Sequence, residues 1–501
     1  MKLSTRISFV CLLAALFTLT PAQANTPDYD VVITNVTVID PATERVLEAK
    51  DVAIVGRTIV LVGSADMASE NAETVIDGTG KYLIPGLMDM HVHTSISAVL
   101  DNSLKLFFAN GVTSIRDMSA DCWEPRGEIY LCLDEMRSFA AEIERAERIG
   151  PHYAKLGSPF VQSDRTNQLP KDHDPLYTPQ SEEDGVKVVA YLEERGVDFI
   201  KVYHAIFPGA FNGLMQEANR RGLEVSGHIP LLLGAKAASD AGVRTIEHAK
   251  EMVTDCSSYT AEYRGAMNAM LRGEEGAAWP KEIDRLRGTV ETFDPERCAQ
   301  LMSALAANGT YYVPTHGTRE FDLLASDPDY RSDPRLRFIG AFQLEDWQRD
   351  IDRTASASDE IKDLYSGFYQ TGLRVTKIAF DQGVQVMLGT DANDTMIIPG
   401  FSAHDELARL VAAGLTPMQA LQSATSVPAN YLGMSGRLGR IAAGYRADLV
   451  LLDANPLDAI RNSVTINTVL FDGRPFDRAA LDQILAEVEA QASASLSASA
   501  E

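Results

Sequence analysis

Between residues 83 and about 433 one pattern recurs and limits the chain to few folds: an amphipathic helical stretch, a glycine, then a short apolar run. The glycines are Gly111, Gly150, Gly196, Gly222, Gly242, Gly309 and Gly383, each where a helix is expected to end. The runs that follow include VTSIRD (112–117), PHYAKLGS (151–158), VDFIKVY (197–203), LEVSGH (223–228), VRTIEH (243–248), TYYVPTH (310–316) and VQVMLGTD (384–391). With LIPGLMDMHVH (83–93) they make eight candidate strands. Helix starts are marked as well: Asp294-Pro295 and Thr416-Pro417 set a capping residue before a first-turn proline. Ser181 to Asp184 and Ser402 to Asp405 read as capping boxes. Alternating strands and helices imply an α/β fold with a parallel sheet. Eight such units predict a closed (β/α)8 TIM barrel over residues 83–433 rather than an open doubly wound sheet. No GxGxxG follows the first strand, which argues further against a dinucleotide-binding fold.

The flanks are of another kind. Residues 25–82 and 434–476 carry short β-like runs broken by Asp, Gly and Pro. Neither piece can bury a good core alone, so together they predict one small β-sandwich domain built from both chain ends. Residues 255–309 and 317–382 are long insertions in the barrel, expected to form a lid that sets specificity. Residues 477–501 are expected to be a helix followed by a disordered Ala/Ser-rich tail from 490.

Residues 1–24 read as a secretory signal peptide: Lys2 and Arg6, an apolar stretch at 7–19, then Ala22-Gln23-Ala24 before Asn25. The apolar stretch is short for a membrane span. The expected product is exported, periplasmic and without a membrane span once the signal is removed. Cys122, Cys132, Cys256 and Cys298 then face an oxidising compartment and allow three pairings. Cys122–Cys132 would close a short loop and Cys256–Cys298 would clip the first insertion; free buried thiols are the alternative. None has zinc-type CxxC spacing. The net charge of −25 argues against a nucleic-acid partner. A small-molecule or dipeptide substrate is the expected partner, and a homo-oligomer stays open.

The chain has nine histidines, and four of them fall at expected strand ends. His91 and His93 are two apart, so a strand points both imidazoles to one face. His228 and His248 close two later strands, Asp391 closes the last, and Lys201 sits in Phe199-Ile200-Lys201-Val202-Tyr203. In a barrel these ends converge on one mouth. Histidine and carboxylate donors suit Zn²⁺, with Mn²⁺, Co²⁺ or Fe²⁺ as alternatives. His316, at the end of another run, is a candidate catalytic contact or a packing residue. Tyr203 and Arg116 are candidates for binding a substrate carbonyl or carboxylate, with an ordinary salt bridge the alternative for Arg116.

Gly86-Leu87-Met88-Asp89-Met90-His91-Val92-His93 resembles the opening metal motif of the amidohydrolase superfamily. Asn110 to Asp117, Phe199 to Tyr203, Thr245 to His248, Gly414 to Pro417 and Gly444 to Leu449 extend the resemblance over about 30–475. The branch it is similar to groups imidazolonepropionase relatives with metallo-dipeptidases acting on Xaa-Pro and Xaa-Arg peptides. The resemblance implies two divalent ions, most simply Zn²⁺: His91, His93 and Asp391 on one, His228 and His248 on the other. It further implies N-carboxylated Lys201 as a bridge, and a metal-bridged hydroxide attacking an amide, with Asp391 as base and then acid. The substrate class implied is a dipeptide or N-acyl amino acid. One departure is visible: many dipeptidases of the branch carry a His-Ala-Tyr-like stretch where this chain has His228-Ile229-Pro230. An ester, lactone or organophosphate hydrolase would use the same residues. A mononuclear deaminase-like or imidazolonepropionase-like enzyme would not need Lys201, and a binding protein on a dead barrel would be expected to lose ligands.

Overall fold

The computed structural model describes residues 28–64, 72–123, 129–163, 174 and 176–499, so the expected signal segment lies outside the described residues. The chain opens with strands β1 (Tyr29–Asp40), β2 (Arg45–Val55), β3 (Thr58–Ser64), β4 (Ala72–Asp77) and β5 (Tyr82–Pro85). Seven short strands follow: β6 (Leu87–Val92), β7 (Val112–Asp117), β8 (His152–Leu156), β9 (Phe199–Val202), β10 (Glu224–Gly227), β11 (Thr245–Glu247) and β12 (Tyr311–Val313). The last three are β13 (Leu449–Leu452), β14 (Ile466–Phe471) and β15 (Arg474–Asp477).

Both chain ends meet in one eight-stranded sheet of order β15-β14-β13-β5-β1-β2-β3, with β4 also on β1. The join is the antiparallel pairing of β5 with β13, in which Ile84 faces Val450 and Leu83 faces Leu451. Val36, Val38, Ile54, Leu83, Leu449 and Leu470 bury together there, so residues some 400 apart in sequence share one core. The stretch 83–93, expected as a single strand, is instead cut at Gly86. Its first half belongs to this sheet and its second half starts the parallel one. A Cβ at Gly86 would lie 2.2 Å from the Thr113 hydroxyl, so only glycine lets the chain cross β7 this closely.

The parallel strands form two ladders, β6-β7-β8 and β9-β10-β11-β12. Single parallel bridges continue from them: Gly157 to Phe199, Val161 to Val202, Tyr312 to Val386, and Val92 to Ala392. The expected strand at 384–391 is not a continuous ladder. Met387 donates to Tyr312 and Met90 donates to Leu388, but the Leu388 N–H goes to the Ser423 carbonyl at 2.8 Å and leaves the ladder. The result is a mixed α/β fold whose parallel strands lie side by side with Ile115, Ile200, Val225, Ile246 and Leu388 in one buried cluster.

The helices start where their caps were expected, with one exception. Ser181 accepts from the Asp184 N–H, Asp294 from Glu296 and Arg297, and Thr416 from Gln419. Ser402, however, lies inside helix Phe401–Ala412, whose N-cap is Gly400. Gly196 (φ 79°) and Gly309 (φ 69°) end their helices in the left-handed region, whereas Gly150 does not adopt positive φ.

The insertions are largely helical, with Thr260–Leu271, Glu282–Glu291 and Pro295–Asn308 in the first and Ala341–Ala355 and Asp359–Asp381 in the second. Disulfides join Cys122 to Cys132 and Cys256 to Cys298. The C-terminal tail expected to be disordered from 490 is helical: Arg478–Ser499 is one helix. Leu481, Ile484, Val488 and Ala492 are all buried at helical spacing, and Val488 packs on Leu106 and Phe338. The Ser495 hydroxyl accepts from the Ala341 N–H at 3.0 Å, which ties the last turns down. Among the described residues no helix is long and apolar enough to cross a membrane.

Candidate active site

Asp391 is the centre of a group of histidines drawn from separate strands. Its Oδ1 lies 3.2 Å from His91 Nε2 and 3.1 Å from His93 Nε2. Its Oδ2 lies 3.5 Å from His248 Nδ1. His91 is in β6 and His93 directly follows it, His248 follows β11, and His228 follows β10 with its ring 4.4 Å from that of His248. Lys201, in β9, is fully buried. Ser226 pairs with Lys201 across the ladder, and a Cβ at Gly227 would meet the Val202 carbonyl at 2.2 Å and the Lys201 stem at 3.1 Å. The structure therefore brings together all six residues singled out as metal donors.

What those donors lack is partners. Among the described residues, Lys201 Nζ, His228 Nδ1 and His248 Nε2 are buried with no hydrogen bond, and His91 Nε2 faces only the Asp391 carboxylate. Three orphaned nitrogens, with a fourth facing only a carboxylate, are costly in a folded protein unless something else binds them. The geometry of His91, His248 and Asp391, with donor atoms within 4.8 Å of one another, fits a metal ion. Burial pushes His228 and His248 well below the ordinary imidazole range, so their lone pairs are available. Burial also raises Asp391, but the imidazoles of His91 and His248 outweigh it and hold the carboxyl well below its usual value. Burial lowers Lys201 to about 8, against the pull of Glu247 and Asp391. His248 (φ 66°), Thr315 (φ 45°) and Asp391 (φ 70°) all hold positive φ without being glycine, a concentration of backbone strain typical of functional sites.

A second layer orients these groups. His91 Nδ1 lies 2.7 Å from Glu247 Oε2; a carboxylate only accepts, so Nδ1 carries the proton and Nε2 is left to face Asp391. Glu247 is in turn held by the Arg116 guanidinium at 2.8 Å. Burial disfavours the Glu247 carboxylate, yet Arg116 and His91 keep it far below the carboxylate range. His93 Nδ1 meets Ser119 Oγ at 2.8 Å, and His248 Nδ1 meets Thr315 Oγ1 at 2.8 Å. Asp89 accepts from the Thr390 N–H and hydroxyl at 3.0 and 2.6 Å, which anchors the segment carrying Asp391.

Two site candidates take the alternative role that the sequence left open. Arg116 is fully buried in an ion pair, donating to Glu247, Thr245, Tyr431 and the Met90 carbonyl. An ion pair in the interior leaves it no access to the cavity. His316 is buried behind the mouth, with Nε2 at 2.9 Å from the Thr376 hydroxyl, and does not line the cavity, so it is a packing residue. Its backbone N–H donates to Glu406. Tyr203 does line the cavity, stacked on Phe160 at 4.8 Å and beside His228 at 4.2 Å.

The site opens into a cavity of about 590 Å³ walled by His93, His228, His248 and Asp391 on one side. Tyr263, Met267, Trp279 and Arg285 of the first insertion and Arg319 of the second wall the other. A second chamber of about 810 Å³, sharing His93, Ile96 and Phe160, is lined by Trp123, Tyr130 and Tyr177 beside the Cys122–Cys132 bridge. Sequence reading missed Glu247 and Asp89 although both carried a signal, an acidic residue inside an apolar strand. It also missed Ser119, Lys250 and Arg319, which carry none.

The family model described as "Amidohydrolase family" matches residues 82–476. Among curated relatives, an adenine deaminase 2 of Shouchella clausii is 39% identical over 88 residues, 17% of this chain and 15% of the relative. An imidazolonepropionase of Rubrobacter xylanophilus is 42% identical over 79 residues, 15% of this chain and 18% of the relative. The chain thus matches less than a fifth of the length of these relatives. Among solved structures, a bottromycin amidohydrolase superposes with TM-score 0.68 at 20% identity, covering 92% of this chain and 90% of its own. A Xaa-Pro dipeptidase with bound methionine does so with TM-score 0.61 at 20% identity, covering 89% and 99%. With a family model matching most of its length and these folds alongside, the chain belongs to the amidohydrolase family.

Proposed function

We propose that this protein is a binuclear metal-dependent hydrolase that cleaves a carbon–nitrogen bond in a small amide, a dipeptide or N-acyl amino acid. The observation that carries the reading is a set of buried nitrogens beside Asp391: Lys201 Nζ, His228 Nδ1 and His248 Nε2 without a hydrogen bond, and His91 Nε2 facing the carboxylate. His91, His93 and Asp391 would hold one ion, His228 and His248 the other, and Lys201 would join them as a carbamate. Bound divalent ions would polarise the amide carbonyl and lower the pKa of water to near neutrality. The barrel reading goes with it: the bridges at Phe199, Val202, Val386 and Ala392 support a (β/α)8 arrangement around this mouth.

The protein supplies the rest. Lys201 reaches its carbamate only from the neutral amine, which attacks CO₂, forms an N–C bond and releases a proton. Its lowered pKa of about 8 leaves roughly a tenth of the amine neutral at pH 7. Asp391, far below the usual range, is an ionised base positioned among the imidazoles, and passes the proton it takes to the departing amine. Glu247 holds His91 in one tautomer, and Tyr203 borders the space where the substrate carbonyl sits.

Protein produced with added Zn²⁺ and bicarbonate is expected to carry close to two divalent ions per chain and to hydrolyse members of a dipeptide and N-acyl amino acid panel. Full activity at one ion per chain, measured by elemental analysis beside turnover, contradicts the binuclear reading and favours a deaminase-like site. Export to the periplasm belongs to the same proposal, supported by the residue pattern of 1–24 and the two cystine bridges. Intact mass of native protein is expected to place the N-terminus near Asn25 with no alkylatable thiol among Cys122, Cys132, Cys256 and Cys298. Four free thiols contradict it.

A further inference from the structure

The cavity wall carries a lysine that forms no direct ion pair among the described residues. Lys250 lies in helix Ala249–Asp255, which leaves β11 directly after His248, and it lines the cavity of about 590 Å³. Among the described residues its ammonium has no hydrogen-bond or ion-pair partner. The other cations of that wall are paired: Arg285 with Glu282 at 2.5 Å, Arg319 with Asp322 at 2.5 Å, and Arg264 with Asp255. Glu251, the next residue in sequence, attracts Lys250 through space but forms no direct ion pair with it, because neighbours along a helix point in different directions. Its own Oε2 is buried without a partner. Burial disfavours the Lys250 charge and Arg319 and Arg285 repel it, while Glu251 and Glu282 attract it from a distance.

We infer that Lys250 is the specificity-determining residue of the cavity and binds a carboxylate on the substrate, on the side of the scissile amide walled by the two insertions. This rests on the amide-hydrolase reading above. One free ammonium, with Glu251 and Asp394 also on the wall, matches a single negative charge better than a doubly charged phosphate. Met267, Trp279 and Pro280 add apolar surface to the same cavity, and a charge-assisted contact there is stronger than a neutral one. The substrates selected are N-acyl amino acids and dipeptides with a free C-terminus; their carboxamides and esters are poor.

Two probes separate this from the metal chemistry. The first is the ketone acid in which a methylene replaces the amide nitrogen of benzoylglycine; the second is its neutral primary-alcohol counterpart. Neither can be hydrolysed. Calorimetric titration of the metal-loaded full chain is expected to show the acid binding roughly 10- to 100-fold more tightly than the alcohol. Lys250→Met should erase that margin and Lys250→Arg should keep most of it, which also shows that the site tolerates substitution. Equal affinities in the wild type, or a margin that survives Lys250→Met, overturns the inference; the second result would assign the carboxylate to the metals. Turnover of benzoylglycine and benzoylglycinamide tests the underlying reading. In Lys250→Met the loss should fall on KM for the acid and far less on the carboxamide. Lys250-dependent binding with no cleavage of any amide would leave the anion site standing and remove the hydrolase. Cleavage with no charge preference would do the reverse.

Discussion

Lys201→Ala is expected to lose the second metal ion and to lower kcat by about 10³-fold or more, the scale of losing several kcal/mol of metal-derived stabilisation. Removing the side chain takes away a buried Nζ that has no hydrogen bond and leaves its space empty beside His228 Nδ1 and His248 Nε2, which have none either. Acetate or propionate should restore part of the activity, because a free carboxylate can enter that space and offer two anionic oxygens. Lys201→Arg should not be rescued, since the guanidinium stays cationic and occupies the gap. Metal content, melting temperature and kcat measured on one preparation decide the matter. A purely structural lysine predicts reduced stability with metal content and turnover per folded molecule unchanged, and that result would refute the bridging role.

Glu247→Gln is expected to cost about 3–5 kcal/mol of folding stability, because it strands the Arg116 guanidinium in the interior without its counter-charge. Metal affinity should drop about 10- to 100-fold in the same variant, since the one carbonyl oxygen of glutamine can accept from Arg116 or from His91 but not from both. Replacing both partners, Arg116→Met with Glu247→Leu, should recover much of the melting temperature but none of the metal affinity. Recovery of metal binding in that double variant would show that His91 is oriented by something else. The pH dependence follows from the depressed Glu247 carboxyl. Its stabilisation is fully present above the unfolded-state value of about 4.3. It is lost as pH falls below that value toward the folded pKa, because there the unfolded chain binds the proton more readily. Acid unfolding of the wild type should therefore be steeper below about pH 4 than that of Glu247→Gln.

Residues near Glu247 show why only part of the site could be read in advance. The histidines and Asp391 were legible because each ends an apolar run, and runs of that length in a helix–strand alternation have ends that must gather on one side. Arg116 read as an available cation because sequence carries no measure of depth. Only packing against Met90, Thr245 and Tyr431 removes it from the cavity. His316 had the same strand-end position as His248, yet it is turned into the interior toward Thr376. The C-terminal helix repeats the lesson from the other side. Its Ala/Ser composition signals disorder, and the buried stripe through Val488 and Ala492 gains meaning only once Leu106 and Phe338 are beside it.

Local properties were therefore the ones sequence determined alone: the period of the apolar runs, the caps at Ser181, Asp294 and Thr416, the donor types at 91, 93, 201, 228, 248 and 391, and the even number of cysteines beyond residue 24. These depend on residues within a few positions of one another, where covalent geometry and hydrogen-bonding chemistry leave little choice. Tertiary structure alone decided the break at Gly86, the joining of β5 to β13, the Arg116–Glu247–His91 relay and the unpaired charge of Lys250. Each of these is set by burial and by partners brought in from other elements, or by the lack of a direct one among the described residues, and the free energy of a charge depends on what surrounds it in space rather than on its neighbours along the chain.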